Sequence, residues 1–345
     1  PLVAGIVDEF EKRGLNIFGP SKAAAQIEGS KVFSKNLMKK HKIPTAKYSV
    51  FEKPQDAIDY INSINVPLVV KAEGLAAGKG VIIAYDRDAA KAAVKSMMID
   101  RAFGKSGARI IIEEYLEGPE VTVLAFCDGK VAVPMVSSRD HKRVFDDNKG
   151  PNTGGMGAVS PAPVYSTELA QVVEETIIGR TVDAMAKEGM PFKGILYTGL
   201  MLTKEGPKVL EYNCRFGDPE AQVVIPRLKT DLVDIMEAVI NGNLTNVKIQ
   251  WKQEAAVCVV MASGGYPGHY ETGKIITGLD DAEKMGSIVF HAGTTVKNNK
   301  IVTAGGRVLG VTALGKDIQN ARQRAYEAVL KIHFDGMHYR KDIGK

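Results

Sequence analysis

The chain has 345 residues, with 45 Lys and Arg against 40 Asp and Glu for a net charge of +5, and 45% of its residues are hydrophobic. At about 150 residues per domain that length predicts two or three domains, and a chain this long buries roughly three quarters of its unfolded surface without covalent staples. Cys127, Cys214 and Cys258 form no CxxC pair and leave one over, which argues against a disulfide framework or a cysteine zinc site and for a reducing, cytoplasmic setting. The longest apolar runs, such as 255–262, fall far short of the roughly 18 residues of a membrane span, so neither secretion nor membrane insertion is expected.

Leu2, Val3, Ile6, Val7 and Phe10 recur at helical spacing and predict an amphipathic helix leading into a short strand, 16–18. A helix feeding a strand reads as the close of an α/β unit whose earlier strand is absent. Residues 21–47 predict two short helices that end before Pro44, because proline disfavours helical geometry in the preceding Ile43. A compact α/β stretch follows: helix 54–64, strand 67–72, a glycine-rich loop, strand 80–85, helix 86–99 and strand 109–114. Asp128-Gly129 between two apolar strands predicts a hairpin within 121–137. Residues 140–162, rich in Gly, Pro, Asn and Asp and without clear periodicity, predict an ordered functional loop. Helix 166–188 precedes a second hairpin, 194–202 with 208–212, and helix 230–241. Strands at 255–261, 287–291 and 307–313 with a last helix, 317–332, read as a separate α+β domain.

Four stretches carry candidate chemistry. In VPLVVKAEGLAAGKGVIIAY, 66–85, a strand ends at Lys71, and Gly74, Gly78 and Gly80 surround Lys79 before a second strand. Glycines admit close backbone approach to phosphate and lysines add charge. The spacing is neither a Walker A loop, which runs into a helix, nor the G-x-G-x-x-G dinucleotide fingerprint. In VLEYNCRFGDPEAQ, 209–222, Glu211 and Asn213 alternate with Leu210 and Tyr212, so two oxygen ligands leave one strand face. Oxygen donors suit Mg²⁺, and Arg215 lies two further along, where a guanidinium can meet a transferring phosphoryl group. Asp218 and Glu220 follow a glycine and read equally well as turn residues.

In IIIEEYLEGPE, 110–120, an apolar strand runs into Glu113-Glu114-Tyr115-Leu116 and a Gly118-Pro119 turn, which reads either as a hinge whose backbone meets an adenine edge with Glu120 on ribose hydroxyls, or as a solvated acidic strand end. SSRDHKRVFDDNKGPNTGGMGAVSPAP, 137–163, supplies Asp140, Lys142 and Arg143, then Asn152-Thr153-Gly154-Gly155-Met156-Gly157, a loop rich in backbone donors suited to a small anionic or zwitterionic substrate. Several absences narrow the chemistry. No HExxH or G-x-S-x-G motif occurs, Cys214 reads as a small buried thiol, and no basic stripe with interleaved aromatics supports nucleic-acid binding.

Together with IFGPSKAAAQIEGSK, MASGGYPGHYETGKIITGL, FHAGT, GGRVLGVTALG and HYRKDIG, these stretches resemble the glycinamide ribonucleotide synthetase family of the ATP-grasp superfamily, from residue 2 to residue 344. The resemblance implies an ATP-grasp fold of α+β subdomains: a remnant of an N-terminal Rossmann-like domain at 1–26, an ATP-grasp domain at 27–245 with a lid subdomain near 47–117, and a C-terminal domain at 246–345. The glycine-rich loop of the N-terminal domain has no counterpart here, so the chain reads as having lost most of that domain. Lys31 and Lys71 are implied as ATP phosphate ligands with the loop of Gly74, Gly78, Lys79 and Gly80 over them; spacing leaves open whether Lys31 or Lys35 is the ligand. Lys71 and Arg215 are the implied catalytic cations, and Glu211 and Asn213 the ligands of Mg²⁺ or Mn²⁺. Asp140, Lys142, Arg143, residues 152–157 and Asp218 are implied as substrate contacts.

The implied reaction joins glycine to 5-phosphoribosylamine with ATP, through a glycyl phosphate, in purine biosynthesis. No nucleic acid, membrane or obligate protein partner is implied. Two alternatives stand beside it: an ATP-binding module without turnover, and an ATP-grasp ligase acting on another acid and amine.

Overall fold

The computed structural model describes residues 1–74 and 80–345, so Gly78 and Lys79 lie outside the described residues. Elements are numbered along the chain. Helix α1 (Ile6–Lys12) begins only after Gly5, whose φ of 92° breaks the predicted helix and leaves Leu2 and Val3 outside it. The strand predicted at 16–18 does not form: no described sheet offers it a partner, and a lone strand leaves its backbone groups unpaired. Helices α2 (Gln26–Gly29) and α3 (Lys31–Lys40) follow, and Ser30 caps α3 by accepting from the Phe33 N–H at 3.1 Å.

The apolar alternation in 48–114 folds into β1 (Tyr48–Phe51), β2 (Leu68–Ala72), β3 (Val81–Ala84) and β4 (Ile110–Glu114), an antiparallel sheet ordered β1-β4-β2-β3. Two helices cover it. Pro54 opens α4 (Pro54–Ser63), where a missing N–H costs nothing, and Asp86 caps α5 (Arg87–Val94), which continues as a π turn at Lys95–Ile99. Ile61, Leu68, Val70, Val94, Met97, Ile110 and Ile112 close the core between helices and sheet.

A second antiparallel sheet, ordered β12-β11-β5-β6, joins β5 (Glu120–Asp128) to β6 (Ala132–Pro134) through the predicted Asp128-Gly129 turn, and β11 (Lys193–Thr203) to β12 (Gly206–Asn213). Between the first and second sheets Gly118 has φ 151°, and any side chain there would collide with the Leu202 carbonyl. The predicted helix 166–188 is α6 (Thr167–Val173) and α7 (Gly179–Lys187) around another π turn. With α9 (Leu232–Asn241) these elements make one compact unit, residues 1–134, 166–215 and 233–247.

The remaining residues, 135–165, 216–232 and 248–345, make the other unit. Residues 139–160 are more regular than the predicted loop: β7 (Arg139–Asp140), β8 (Arg143–Phe145), β9 (Lys149–Asn152) and β10 (Gly157–Ser160) are short strands. β8 pairs with β9 across a register shift and β7 with β10, while the other partner of β10 comes from far along the chain, with Gly157 opposite Val259, so no clean local period marks them. The unit's main sheet runs β14-β17-β13-β10-β7, where β13 is Ala255–Ser263, β14 Ile288–His291 and β17 Arg307–Gly315; β18 (Met337–His338) also pairs with β13. Helix α8 is Ala221–Val224 and α10 is Leu279–Lys284. Helix α11 (Ile318–Val329) turns Ala321, Ala325 and Ala328 into a core shared with Val257, Val259, Val311 and Phe334. A hairpin of β15 (Thr294–Lys297) and β16 (Lys300–Thr303) turns at Asn298-Asn299, both at positive φ, a signal readable in the sequence but not anticipated. Among the described residues no helix is long and apolar enough to cross a membrane.

Candidate active site

Within the first unit the site is built on three neighbouring strands. Lys71 leaves β2 and Glu113 leaves β4, and Lys71 Nζ lies 3.0 Å from Glu113 Oε2 while donating to the Leu210 carbonyl of β12 at 3.3 Å. Lys35 Nζ, from α3, reaches the same Oε2 at 3.0 Å and donates to Thr45 Oγ1 at 2.8 Å. All three ionic side chains are buried. Burial alone would raise the Glu113 carboxyl, but the Lys71 and Lys35 ammonium groups outweigh it and hold the group below the usual carboxylate range. Burial pushes Lys35 down to about 8, against the opposing pull of Glu113.

The two lysines left open by spacing are separated by their surroundings. Lys35 is enclosed, whereas Lys31 at the start of α3 is half-buried and donates to the Gly74 carbonyl at 3.0 Å. Burial lowers the Lys31 ammonium, and Glu211 is the first group that opposes this. Glu73, which the sequence did not single out, holds this corner: it accepts from Ser30 Oγ at 2.8 Å and from the Arg109 guanidinium, and its carbonyl accepts from the Lys31 N–H.

On β12, Glu211 is exposed and Asn213 half-buried, whereas Tyr212 between them is buried with its hydroxyl 2.7 Å from Thr181 Oγ1. The predicted alternation therefore places both oxygen donors on one open face. Among the described residues no group of three or more His, Cys, Asp or Glu is able to hold a metal. A carboxylate and an amide oxygen fit Mg²⁺ completed by phosphate oxygens and water. Beyond the strand, the Cys214 N–H donates to Glu28 Oε2 at 2.8 Å and Arg215 Nε lies 3.9 Å from Glu28 Oε1. Glu28, unforeseen from sequence, thus orients the segment carrying Arg215. Burial pushes the Cys214 thiol far up, consistent with an inert thiol. Tyr115 faces Tyr85 with ring centroids 6.1 Å apart, Leu116 is buried, and Glu120 is exposed at the start of β5.

The second unit gathers another cluster. Gly155 has φ 112°, and a side chain there would collide with Pro219 and Asp140, so Asp140, Gly155 and the Asp218-Pro219 turn meet closely. Arg307, not foreseen although it stands in the GGRVLG stretch, binds the Asp218 carboxylate and donates to the Gly154 carbonyl at 2.8 Å. The Gly154 N–H donates to the Tyr266 hydroxyl at 2.9 Å. Thr153 donates twice to the Lys142 carbonyl and accepts from the Gly155 N–H.

Other members of the predicted set make contacts within their own segments and the neighbouring strands. Arg143 donates to Gly150 and pairs across the strands with Asn152, Met156 packs beside Val144 and Ala262, and Gly157 backs against the Cys258 carbonyl.

Residues 29–221 match the family described as phosphoribosylglycinamide synthetase, ATP-grasp (A) domain, and residues 256–345 its C domain. The chain is 50% identical over 343 residues to a phosphoribosylamine–glycine ligase of Caldanaerobacter subterraneus subsp. tengcongensis, covering 99% of this chain and 82% of that one. It is 54% identical over 346 residues to the trifunctional purine biosynthetic protein adenosine-3 of Gallus gallus, covering this whole chain but only 34% of that longer protein. The crystal structure of a phosphoribosylamine–glycine ligase from Thermotoga maritima superimposes with a TM-score of 0.89 at 37% identity, covering 98% of this chain and 84% of that one.

Proposed function

The chain belongs to the phosphoribosylglycinamide synthetase family and is an ATP-dependent ligase of the phosphoribosylamine–glycine type, and from that premise we propose how its residues divide the work. The observation that carries the proposal is the buried Lys71–Glu113–Lys35 cluster beside the strand bearing Glu211 and Asn213. It combines an excess of positive charge with oxygen donors, the pairing that phosphate and a divalent cation need.

A carboxylate is a poor electrophile, so the glycine carboxylate oxygen attacks the γ-phosphorus of ATP and ADP leaves. The amine nitrogen of 5-phosphoribosylamine then attacks the carbonyl carbon of the glycyl phosphate, a proton departs from the nitrogen, and phosphate is expelled. No enzyme nucleophile takes part. Lys31 and Lys71 hold the ATP phosphates, and Arg215 meets the oxygens of the moving phosphoryl group. Leu116 and the backbone around Glu113 and Tyr115 seat adenine, with Glu120 on the ribose. Glu211 and Asn213 would hold Mg²⁺ or Mn²⁺, which neutralises charge on the phosphates. Asp140, Asp218 and the 152–157 loop orient glycine and the amine, so that the two reactants meet in place rather than by diffusion. The buried thiols suit a reducing compartment, and the proposal places the chain in the cytoplasm.

The test is release of ADP and phosphate from ATP with glycine and 5-phosphoribosylamine supplied singly and together. Release that requires both supports the reading; Mg-ATP binding without that dependence makes the chain a nucleotide-binding module instead.

A further inference from the structure

Lys35 belongs to the buried cluster but is given no contact with ATP or substrate in the scheme above, yet it is among the most enclosed charged side chains of the described residues. Its ammonium and that of Lys71 both contact Glu113 Oε2 at 3.0 Å, so one buried carboxylate faces two cations. The two are held unequally. Lys35 is anchored by Thr45 Oγ1 at 2.8 Å, Thr45 itself donates to the Val209 carbonyl at 2.7 Å, and the ammonium lies over the Tyr48 ring, 5.7 Å from its centroid. Besides Glu113, Lys71 has among the described residues a long contact to the Leu210 carbonyl at 3.3 Å.

If Lys71 were the only partner of Glu113, turning it toward a nucleotide phosphate would strand a buried, unpaired carboxylate, which is strongly unfavourable. We propose that Lys35 is a positioning residue that keeps the Glu113 carboxylate ionised and fixed while Lys71 exchanges it for a phosphate of the bound nucleotide. The other oxygen, Glu113 Oε1, is buried and has no hydrogen-bond partner among the described residues, so a carboxylate held by Lys35 also keeps one acceptor available for a donor on the ligand. The inference rests on the nucleotide reading of this site.

The test compares Mg-ATP binding by calorimetry, and KM for ATP and for glycine, in the wild-type chain, Lys35→Met, Lys35→Arg, Glu113→Gln and the double variant. Lys35→Met should weaken Mg-ATP by about tenfold or more with little change in the glycine KM, and Lys35→Arg should recover most of the loss. In the Glu113→Gln background, where no carboxylate needs neutralising, Lys35→Met should add less than about twofold. Wild-type ATP affinity in Lys35→Met, an equal loss toward both substrates, or full additivity in the double variant overturns the inference. If Lys35→Met does not fold, Thr45→Val removes the anchor of Lys35 together with the bond to the Val209 carbonyl and should weaken Mg-ATP by about threefold, and unchanged affinity there is equally fatal. A wild-type chain that binds no Mg-ATP sinks the nucleotide reading itself, a result separable from all of these.

Discussion

Arg307 grips Asp218 with both arms of its guanidinium: Nη1 and Nη2 each lie 3.1 Å from a different carboxylate oxygen, and Nη1 also donates to the main-chain carbonyls of Asp218 and Gly154. One side chain therefore fixes two predicted substrate segments against each other. Arg307→Met should lower kcat/KM for glycine or the amine by about 100-fold, because small displacements of positioning groups are costly, while leaving Mg-ATP affinity within about twofold. Arg307→Lys should fall between, since it keeps the charge but loses the planar fork. Steady-state kinetics with calorimetry decides the point: an equal loss of ATP affinity contradicts a substrate-positioning role.

Glu211 and Asn213 sit on the open face of β12 and contribute little to the core. Glu211→Ala should change unfolding free energy by no more than about 0.5 kcal/mol, yet reduce turnover by at least about 100-fold, because phosphate charge loses part of its metal-mediated screening. Phosphate release at saturating Mg²⁺, beside a denaturant melt of the same variant, measures both. Unchanged turnover would remove Glu211 from the metal site.

How much of this was readable in the residues depended on distance along the chain. That Glu211 and Asn213 share a strand face was legible because a strand's alternation is local, that Lys71 lies in a strand before the glycine-rich loop because an apolar run and its glycines are adjacent, and the Asp128-Gly129 hairpin because its turn chemistry is local. Lys35 was visible as a candidate, but its partners arrive from Thr45 and Glu113 only when strands from separate parts of the chain close together. Arg307 lies 89 positions from Asp218 and 153 from Gly154, so no window of the sequence links them. Of the strands within 139–160, β10 escaped for the same reason, since β13 pairs with it from a hundred residues away, whereas β8 and β9 pair with each other across a register shift that breaks the alternation. The predicted strand at 16–18 erred in the opposite direction, because apolar residues alone do not supply a pairing partner.

His141, between β7 and β8, is buried, and its Nδ1 has no hydrogen-bond partner among the described residues. Burial, with Arg340 and Arg139 nearby, pushes its pKa down to about 4. The ring should therefore stay neutral at pH 5, and its C2 proton resonance should titrate near 4 rather than near the ordinary histidine value of about 6.5. Between those values the unfolded chain binds the proton that the folded chain refuses, so stability falls as pH drops through this window. His141→Leu should flatten that part of the stability profile. A titration near the ordinary histidine value would show that the ring has access to water or an acidic partner.

Arg340 is the largest fully buried side chain, and its guanidinium ties the C-terminal segment to the 143–150 hairpin. Nε and Nη2 meet the two Asp342 carboxylate oxygens at 2.7 Å, while Nη1 donates to the Arg143 carbonyl at 3.0 Å and Asn148 Oδ1 at 3.1 Å. Asp342 also accepts the Asp147 N–H at 2.9 Å. Burial opposes ionisation of Asp342, but the Arg340 hydrogen bonds and the Asp147 N–H hold its carboxyl far below the usual range. The sign follows from linkage: the stabilisation is complete above the unfolded value of about 3.9 and is lost as pH falls toward the folded one. Arg340→Met should cost about 3 to 5 kcal/mol at neutral pH, because it strands a carboxylate, and it should remove this acid-sensitive component. Adding Asp342→Leu should recover part of the loss, since an apolar pair leaves no unpaired charge. Denaturant melts of the single and double variants at pH 7 and pH 3 make the comparison. Strictly additive losses would mean that Arg340 acts through its packing and its bonds to Arg143 and Asn148, not through Asp342.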